Sequence, residues 1–370
     1  MTSLPIALPR QRQKLKLDFS ELLTASSISS IKRHVGAACL ALATAIYLTE
    51  PSINSALLPL AFALFGVSVF LIGTTKLNRV YVALIGIIVT SAWLAVPFSM
   101  LFSRPLAPTI LLAVFTSIMV PLLFLKERQI ILYWLIPVWI IQYGLMAYQW
   151  ISEPNRANGL AQNANAGSSF LLLGAIFLIH QPRLRMLAVP LLVAIPFSGS
   201  RWVLLVGIGV FGLMFLFKCV NWKWSALVIT SALALLITFQ HTELLAAYRQ
   251  GMNNNIQDID THADVSQGDY DGWKILIPKG FHDTTLHSLP LRMADETGLL
   301  SALAWLGVGA FSFYQKPRRG SHWWMLAAVY LLSAMYYFTW YLLPFWWLLV
   351  AKEKAPPATG PSLSEPRALP

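Results

Sequence analysis

The chain has 370 residues, 56% of them hydrophobic and only 12% charged, and its 27 Lys and Arg outnumber its 16 Asp and Glu to give a formal net charge of +11. A water-soluble domain carries about a quarter charged residues, so this composition excludes an ordinary soluble fold and describes an integral membrane protein. The excess of positive charge reports orientation in a membrane and does not imply a nucleic-acid partner.

Apolar runs long enough to cross a bilayer recur along the chain, since about 20 helical residues span the hydrocarbon core. Read in order, they fall near 35–49, 53–73, 80–102, 106–125, 130–151, 165–180, 185–198, 200–217, 222–240, 297–314, 322–338 and 339–350. The fold class expected is all-α: a polytopic membrane protein of about twelve transmembrane helices, with one large extracytoplasmic loop between spans 9 and 10. This divides the chain into an N-terminal cytoplasmic segment (1–34), spans 1–9 (35–240), a polar periplasmic loop or cap (241–296), spans 10–12 (297–350) and a Pro-rich cytoplasmic tail (351–370).

The placement of Lys and Arg tests that count, because cytoplasmic loops are enriched in both. With the N-terminus inside, twenty of the 27 fall on the cytoplasmic side. The seven outside are Arg104, Arg156, Arg201, Arg249, Lys274, Lys279 and Arg292. Eleven of the 16 acidic residues lie outside, which leaves about +15 inside and −4 outside. Cys39 and Cys219 sit in or beside spans, so no outer disulfide framework is expected, and the basic start leading into span 1 does not read as a cleaved signal peptide.

Polar residues gather at the outer mouth between spans 5 and 6, in "PNRANGLAQNANAG" from Pro154 to Gly167. Asn163, Asn165 and Gly167 precede a helix whose N-terminus points outward, where backbone N–H groups lack partners and the helix end is partially positive. A second outward helix start, "SGSRWVLLVGIGV", offers Ser198 and Ser200 as N-caps with Arg201 in the first turn. A cation there is unfavourable by about 0.3–1 kcal/mol unless an anion sits beside it. The same residues also suit a bland reading, in which Arg201 snorkels to headgroups and the Asn/Gly cluster makes turns.

The loop ends in "PKGFHDTTLHSLPLRMADETGLL", from Pro278 to Leu300. Ser288 ahead of Leu289 and Pro290 reads as a helix start, and that helix is expected to run on toward span 10. His287 stands at its N-terminus, where the dipole disfavours imidazolium and leaves a usable general base. His241, His262 and His282 are its competitors, and His282 with Asp283 and His287 does not make a metal site without Cys or spaced carboxylates.

In their order these motifs resemble the bacterial O-antigen ligase and O-antigen polymerase family. The resemblance rests on "RANGLAQNAN", on "SGSRWVLL", and on a long outer loop with His287 followed by Glu296 and Gly298, and it covers about Pro154 to Leu303. Two motifs depart from the family pattern: Asn163-Ala164-Asn165 stands for Asn-Pro-Asn, and Ser288 for an Asn after the His. The Arg usual before the loop Trp is replaced by Asp269 and Asp271 ahead of Trp273, which leaves Arg249 as the loop Arg.

The resemblance implies a glycosyltransferase that needs no cofactor or metal and inverts the anomeric centre at the periplasmic face of the bacterial inner membrane. Its implied partners are a glycan on undecaprenyl pyrophosphate, a lipid A core acceptor and membrane lipids. It assigns His287, Arg201 and Arg156 to catalysis, and Arg249, Asn158, Asn163, Asn165, Ser200 and Glu296 to substrate binding. A ligase is favoured over a polymerase by the single large late loop. A lipid-linked glycan flippase or transporter is the rival from another class, though the spans hold no mid-membrane charge and no internal repeat.

Overall fold

The computed structural model describes residues 25–49, 57–74, 78–123, 125–126, 128–152, 157–161, 163–220, 223–224, 274, 276–281, 288–315 and 320–335. Among these, every regular element is a helix, and one isolated antiparallel bridge joins Thr74 to Leu125. The α-helices are α1 (Ala25–Thr49), α2 (Leu58–Ile72), α3 (Arg79–Leu101), α4 (Leu106–Leu123), α5 (Arg128–Ser152), α6 (Ala164–Ile179), α7 (Ala188–Ala194), α8 (Arg201–Leu216), α9 (Leu289–Thr297), α10 (Leu299–Gln315) and α11 (Ser321–Met335).

Three helical stretches are long and apolar enough to cross a membrane: Ile28–Thr49, Arg79–Leu101 and Gln129–Ser152. Their outward faces carry large apolar side chains that water would not tolerate in such number. Trp93 and Leu94 of α3 are 46% and 47% exposed, and Ile140 and Ile141 of α5 are 47% and 52% exposed. Exposed apolar surface on this scale marks a membrane protein. The remaining apolar helices are shorter, at 10–17 residues.

Helix α6 is the centre of the packing. From Ala166 to Ile179 every residue is buried, so its apolar character is a response to neighbours on all sides and not to lipid. Trp139 of α5 lies between Phe170 and Phe177 of α6, with ring centroids 5.8 and 5.9 Å apart.

The stretch near 185–198 is helical from Arg185 to Ser198 but not α-helical throughout. It divides into a 3-10 turn (Arg185–Leu187), the seven-residue α7 and a second 3-10 turn (Ile195–Ser198). Pro190 and Pro196 lack the N–H that an interior α-helical position requires, which limits how long one ladder can run here. The first helix also starts earlier than expected, at Ala25, because the polar run before the apolar span is helical too.

Contacts along the helices fix which ends lie together. Tyr81, at the start of α3, packs against Phe311 and shares a hydrogen bond of 3.0 Å with Ser312 near the end of α10. The end of α3 therefore lies beside the start of α10. Helices α10 and α11 form a hairpin in which Trp305 stacks on Tyr330 and Phe313 meets Trp323. Trp202 at the start of α8 donates to the Leu331 carbonyl at 3.1 Å, while Phe217 beyond its end meets Trp324. The starts of α8 and α10, the end of α3 and the short helix α9 thus share one end of the bundle. The starts of α6 and α4 join them there, since Ala157, just before α6, bonds to Phe197, just before α8.

Candidate functional site

Two polar assemblies occupy this shared end. The first answers why so many polar residues gather before α6. Gln142 and Gln149 of α5 are two turns apart and face the chain between Ala157 and Ala161. Gln142, fully buried, donates from Nε2 to the Asn158 carbonyl at 2.9 Å and accepts from the Leu160 N–H at 2.6 Å. Gln149 accepts from the N–H groups of Asn158 and Gly159 at 2.9 and 2.8 Å and donates back to the Gly159 carbonyl at 3.3 Å. A stretch of non-helical backbone at this depth requires such partners, because its own groups form no ladder. Gly159 has a φ of 68°, and a side chain there would meet Gln142.

This loop delivers the chain to α6 with Asn163 as N-cap, its Oδ1 accepting from the Asn165 N–H at 2.8 Å. Asn165 in turn offers its carbonyl to the Ser169 hydroxyl at 2.6 Å. Ala157 N–H bonds to the Phe197 carbonyl at 3.0 Å, and Trp150 stacks on the Phe197 ring at 5.1 Å, which ties the loop to the start of α8. There Ser200 is the N-cap residue, and its N–H is taken by the Ser198 hydroxyl at 3.1 Å. The Ser200 hydroxyl is buried and finds no hydrogen-bond partner among the described residues.

The second assembly is ionic. The turn between α3 and α4 carries Ser103 in the left-handed region (φ 52°), a conformation costing a non-glycine residue about 1–3 kcal/mol. The turn presents Arg104 to α9. Every residue of α9 from Arg292 to Thr297 is buried, including three charged ones. The Asp295 carboxylate lies between Lys279 Nζ, 3.2 Å from one oxygen, and Arg104 Nη2, 3.6 Å from the other. Arg292 Nε donates to Glu296 Oε1 at 2.7 Å, and the guanidinium lies 5.2 Å from the Phe281 ring centroid.

Backbone closes the same cluster. The N–H groups of Lys279 and Gly280 both donate to the Glu296 carbonyl, at 3.1 and 2.9 Å, and the Phe281 N–H donates to the Thr109 hydroxyl at 2.9 Å. Gly280 (φ 97°) allows this crossing: a Cβ there would lie 2.6 Å from Ser99 Cβ and 2.8 Å from Thr109 Oγ1. The segment before α9 is thereby laid across the α3–α4 turn. Among the described residues the cluster sets Arg104, Lys279 and Arg292 against Asp295 and Glu296 in a largely dehydrated setting, where a charge acts over a longer range than in water.

Of the residues expected from sequence, Asn158, Asn163, Asn165 and Ser200 fall in the first assembly, with Arg201 opening α8, and Glu296 in the second. Glu296 is 2% exposed and paired with Arg292, so its described contacts are to the protein itself. Arg156, Arg249 and His287 lie outside the described residues. Ser288 begins α9 as expected, yet α9 does not run on into the next span: it stops at Gly298 (φ 86°), and α10 starts afresh at Leu299.

Sequence reasoning missed Gln142, Gln149, Arg104, Lys279 and Asp295. The signal for the cations was available, since Arg104, Lys279 and Arg292 are three of the seven basic residues assigned outside. Among the described residues no group of three His, Cys, Asp or Glu is placed to hold a metal ion. Compared with known protein families, curated proteins and solved structures, the chain matches none.

Proposed function

We propose that this protein is a lipid-linked glycan ligase of the bacterial inner membrane, which transfers a glycan from undecaprenyl pyrophosphate to the lipid A core of lipopolysaccharide at the periplasmic face. The observation that carries the reading is the meeting, at one end of the bundle, of the N-termini of α6 and α8 with a buried ion cluster that holds Arg104, Lys279 and Arg292. That is the end to which the charge pattern of a twelve-span chain assigns the outside. A pyrophosphate leaving group needs such donors, because its charge grows as the glycosidic bond breaks.

In the reaction, the acceptor hydroxyl attacks the anomeric carbon from the face opposite the pyrophosphate. The new C–O bond forms as the bond to the phosphate oxygen breaks, the electron pair leaves on the pyrophosphate, and the hydroxyl proton passes to His287. Arg201 and Arg156, with Arg249 from the loop, bind the pyrophosphate oxygens as forked donors. Asn158, Asn163, Asn165 and Ser200 shape the glycan and phosphate contacts around the two helix starts, and Glu296 holds the α9 side of the site through Arg292. No energy source besides the lipid pyrophosphate is required, which suits a compartment without nucleotide sugars.

A polymerase that hands the glycan to a second lipid-linked repeat uses the same donor and leaving group, and it is the second reading. A flippase or transporter is the third. Purified protein incubated with undecaprenyl-pyrophosphate glycan and lipid A core separates them. Ligase activity yields glycan-bearing lipid A core and free undecaprenyl pyrophosphate. Longer glycan on the carrier marks the polymerase, and no covalent product from an active preparation rejects both enzymes.

A further inference from the structure

The chain reaches α9 by first passing the far end of that helix. The Lys279 and Gly280 N–H groups donate to the Glu296 carbonyl at 3.1 and 2.9 Å, one of the last carbonyls of α9 and therefore without a partner inside the helix. Gly298, just past that end, leaves room for the same segment, since a Cβ there would lie 2.9 Å from the Leu276 carbonyl oxygen. Phe281 is then tied to the start of α4: its N–H donates to the Thr109 hydroxyl at 2.9 Å, and that hydroxyl donates to the Pro105 carbonyl at 2.8 Å. Six residues separate Phe281 from Ser288, the N-cap residue of α9, and His287 is the last of them. His287 lies outside the described residues, but Ser288 does not, and adjacent Cα atoms are about 3.8 Å apart. Whatever sets the place of α9 therefore sets the point from which His287 acts.

We propose, resting on the reading of His287 as general base, that Thr109, Asp295, Lys279 and Arg104 are positioning residues for it. They fix the place and rotation of α9 and of the segment that leads to it, and through them the approach of the base to the acceptor hydroxyl. Apolar contacts already bury α9: Leu289, Met293 and Ala294 are 1–5% exposed, and the helix packs on α3, α10 and α11. Such burial is non-directional, and by itself it lets a nine-residue helix settle at more than one rotation. For stability alone, well-packed apolar residues of similar volume would serve about as well as buried ion pairs. What the ion pairs contribute is direction. Asp295 takes Lys279 Nζ on one oxygen and Arg104 Nη2 on the other, so one carboxylate ties the helix both to its leading segment and to the α3–α4 turn.

Catalysis responds steeply to such placement, since a displacement of about 1 Å can cost about 100-fold in rate. Donor binding should respond much less. Arg104 and Thr109 belong to the α3–α4 side of α9, whereas the start of α8 adjoins α11 through the bond from Trp202 to the Leu331 carbonyl. Turnover is thus the quantity these residues should govern.

The test compares Thr109→Val, which keeps the side-chain shape and removes the hydroxyl, with Thr109→Ser, which keeps the hydroxyl. The purified full chain is given undecaprenyl-pyrophosphate glycan and lipid A core, and turnover is expressed per donor-binding site so that misfolded protein is not counted. Thr109→Val should lower kcat about tenfold and Asp295→Asn about 100-fold, each with donor KM unchanged. Thr109→Ser should keep the parent rate. So should Tyr81→Phe, which removes the hydroxyl that meets Ser312 at the opposite end of the bundle. Full turnover in Thr109→Val overturns the inference whatever Asp295→Asn does. An equal loss in Thr109→Ser or in Tyr81→Phe overturns it too, because it marks a general loss of structure. A raised donor KM at unchanged kcat also overturns it and assigns the turn to donor binding. In all these outcomes the parent is active; a parent that transfers no glycan overturns the ligase reading itself, and this inference with it.

Discussion

Gln142→Leu isolates what holds the loop before α6. The substitution keeps the approximate volume of a fully buried side chain and removes two hydrogen bonds, from Nε2 to the Asn158 carbonyl (2.9 Å) and from the Leu160 N–H to Oε1 (2.6 Å). Each backbone group left unsatisfied costs about 1–3 kcal/mol. Asn158 and Leu160 are half-buried, so some water reaches them, and the total expected is about 2–4 kcal/mol. Gln149→Ala acts on the same loop from a more accessible position and should cost about 1–2 kcal/mol. The two losses should not add, since both side chains restrain one short segment. Equilibrium unfolding of detergent-solubilised protein gives these differences, and the stack of Trp150 on Phe197 beside the loop provides a fluorescence signal. A Gln142→Leu protein within about 0.5 kcal/mol of the parent, the range of ordinary surface changes, would refute the claim that α5 holds this loop.

Asp295→Ala should destabilise the protein by about 3–5 kcal/mol in the same assay, because it leaves Lys279 and Arg104 without the carboxylate between them. Adding Lys279→Met to an Asp295→Leu chain should recover part of that loss, since it removes the fully buried cation and leaves only Arg104, which is partly exposed, without the carboxylate. Gly159→Ala should cost at least about 1–2 kcal/mol from its left-handed φ alone, with further loss from the clash with Gln142, measured by the same unfolding curve. Arg201→Lys should lower transfer activity by at least tenfold while the protein stays folded, because it keeps the charge and loses the forked donor. His287→Ala should abolish turnover with donor binding retained in an equilibrium lipid-binding assay. Loss of donor binding in His287→Ala together with full activity in Arg201→Lys would reverse the two roles.

Hydropathy made the long helices legible, and cap chemistry made the starts of α6 and α9 legible, since Asn163 and Ser288 announce themselves locally. The divided stretch at 185–198 was hidden because its apolar content satisfies a span criterion even though Pro190 and Pro196 limit a single ladder. Gln142 and Gln149 were invisible for a similar reason: each sits singly in an apolar run, and only the chain folded against α5 reveals what it bonds. Arg104 and Asp295 are 191 positions apart, so their approach depends on the α3–α4 turn meeting α9, a tertiary event without local signature. The Asn cluster between Asn158 and Asn165 was legible as a polar site beside helix starts. That the backbone of the loop before α6 is bonded by Gln142 and Gln149 of α5 was not.

The most direct test of the proposed ligase is the fate of the glycan in cells that lack this protein. The account predicts long polymerised glycan stranded on undecaprenyl pyrophosphate and lipid A core left bare, with both restored by the intact gene and not by the His287→Ala form. Lipid A core capped with a single repeat unit would point to the polymerase instead, and normal long-chain lipopolysaccharide would contradict the account altogether.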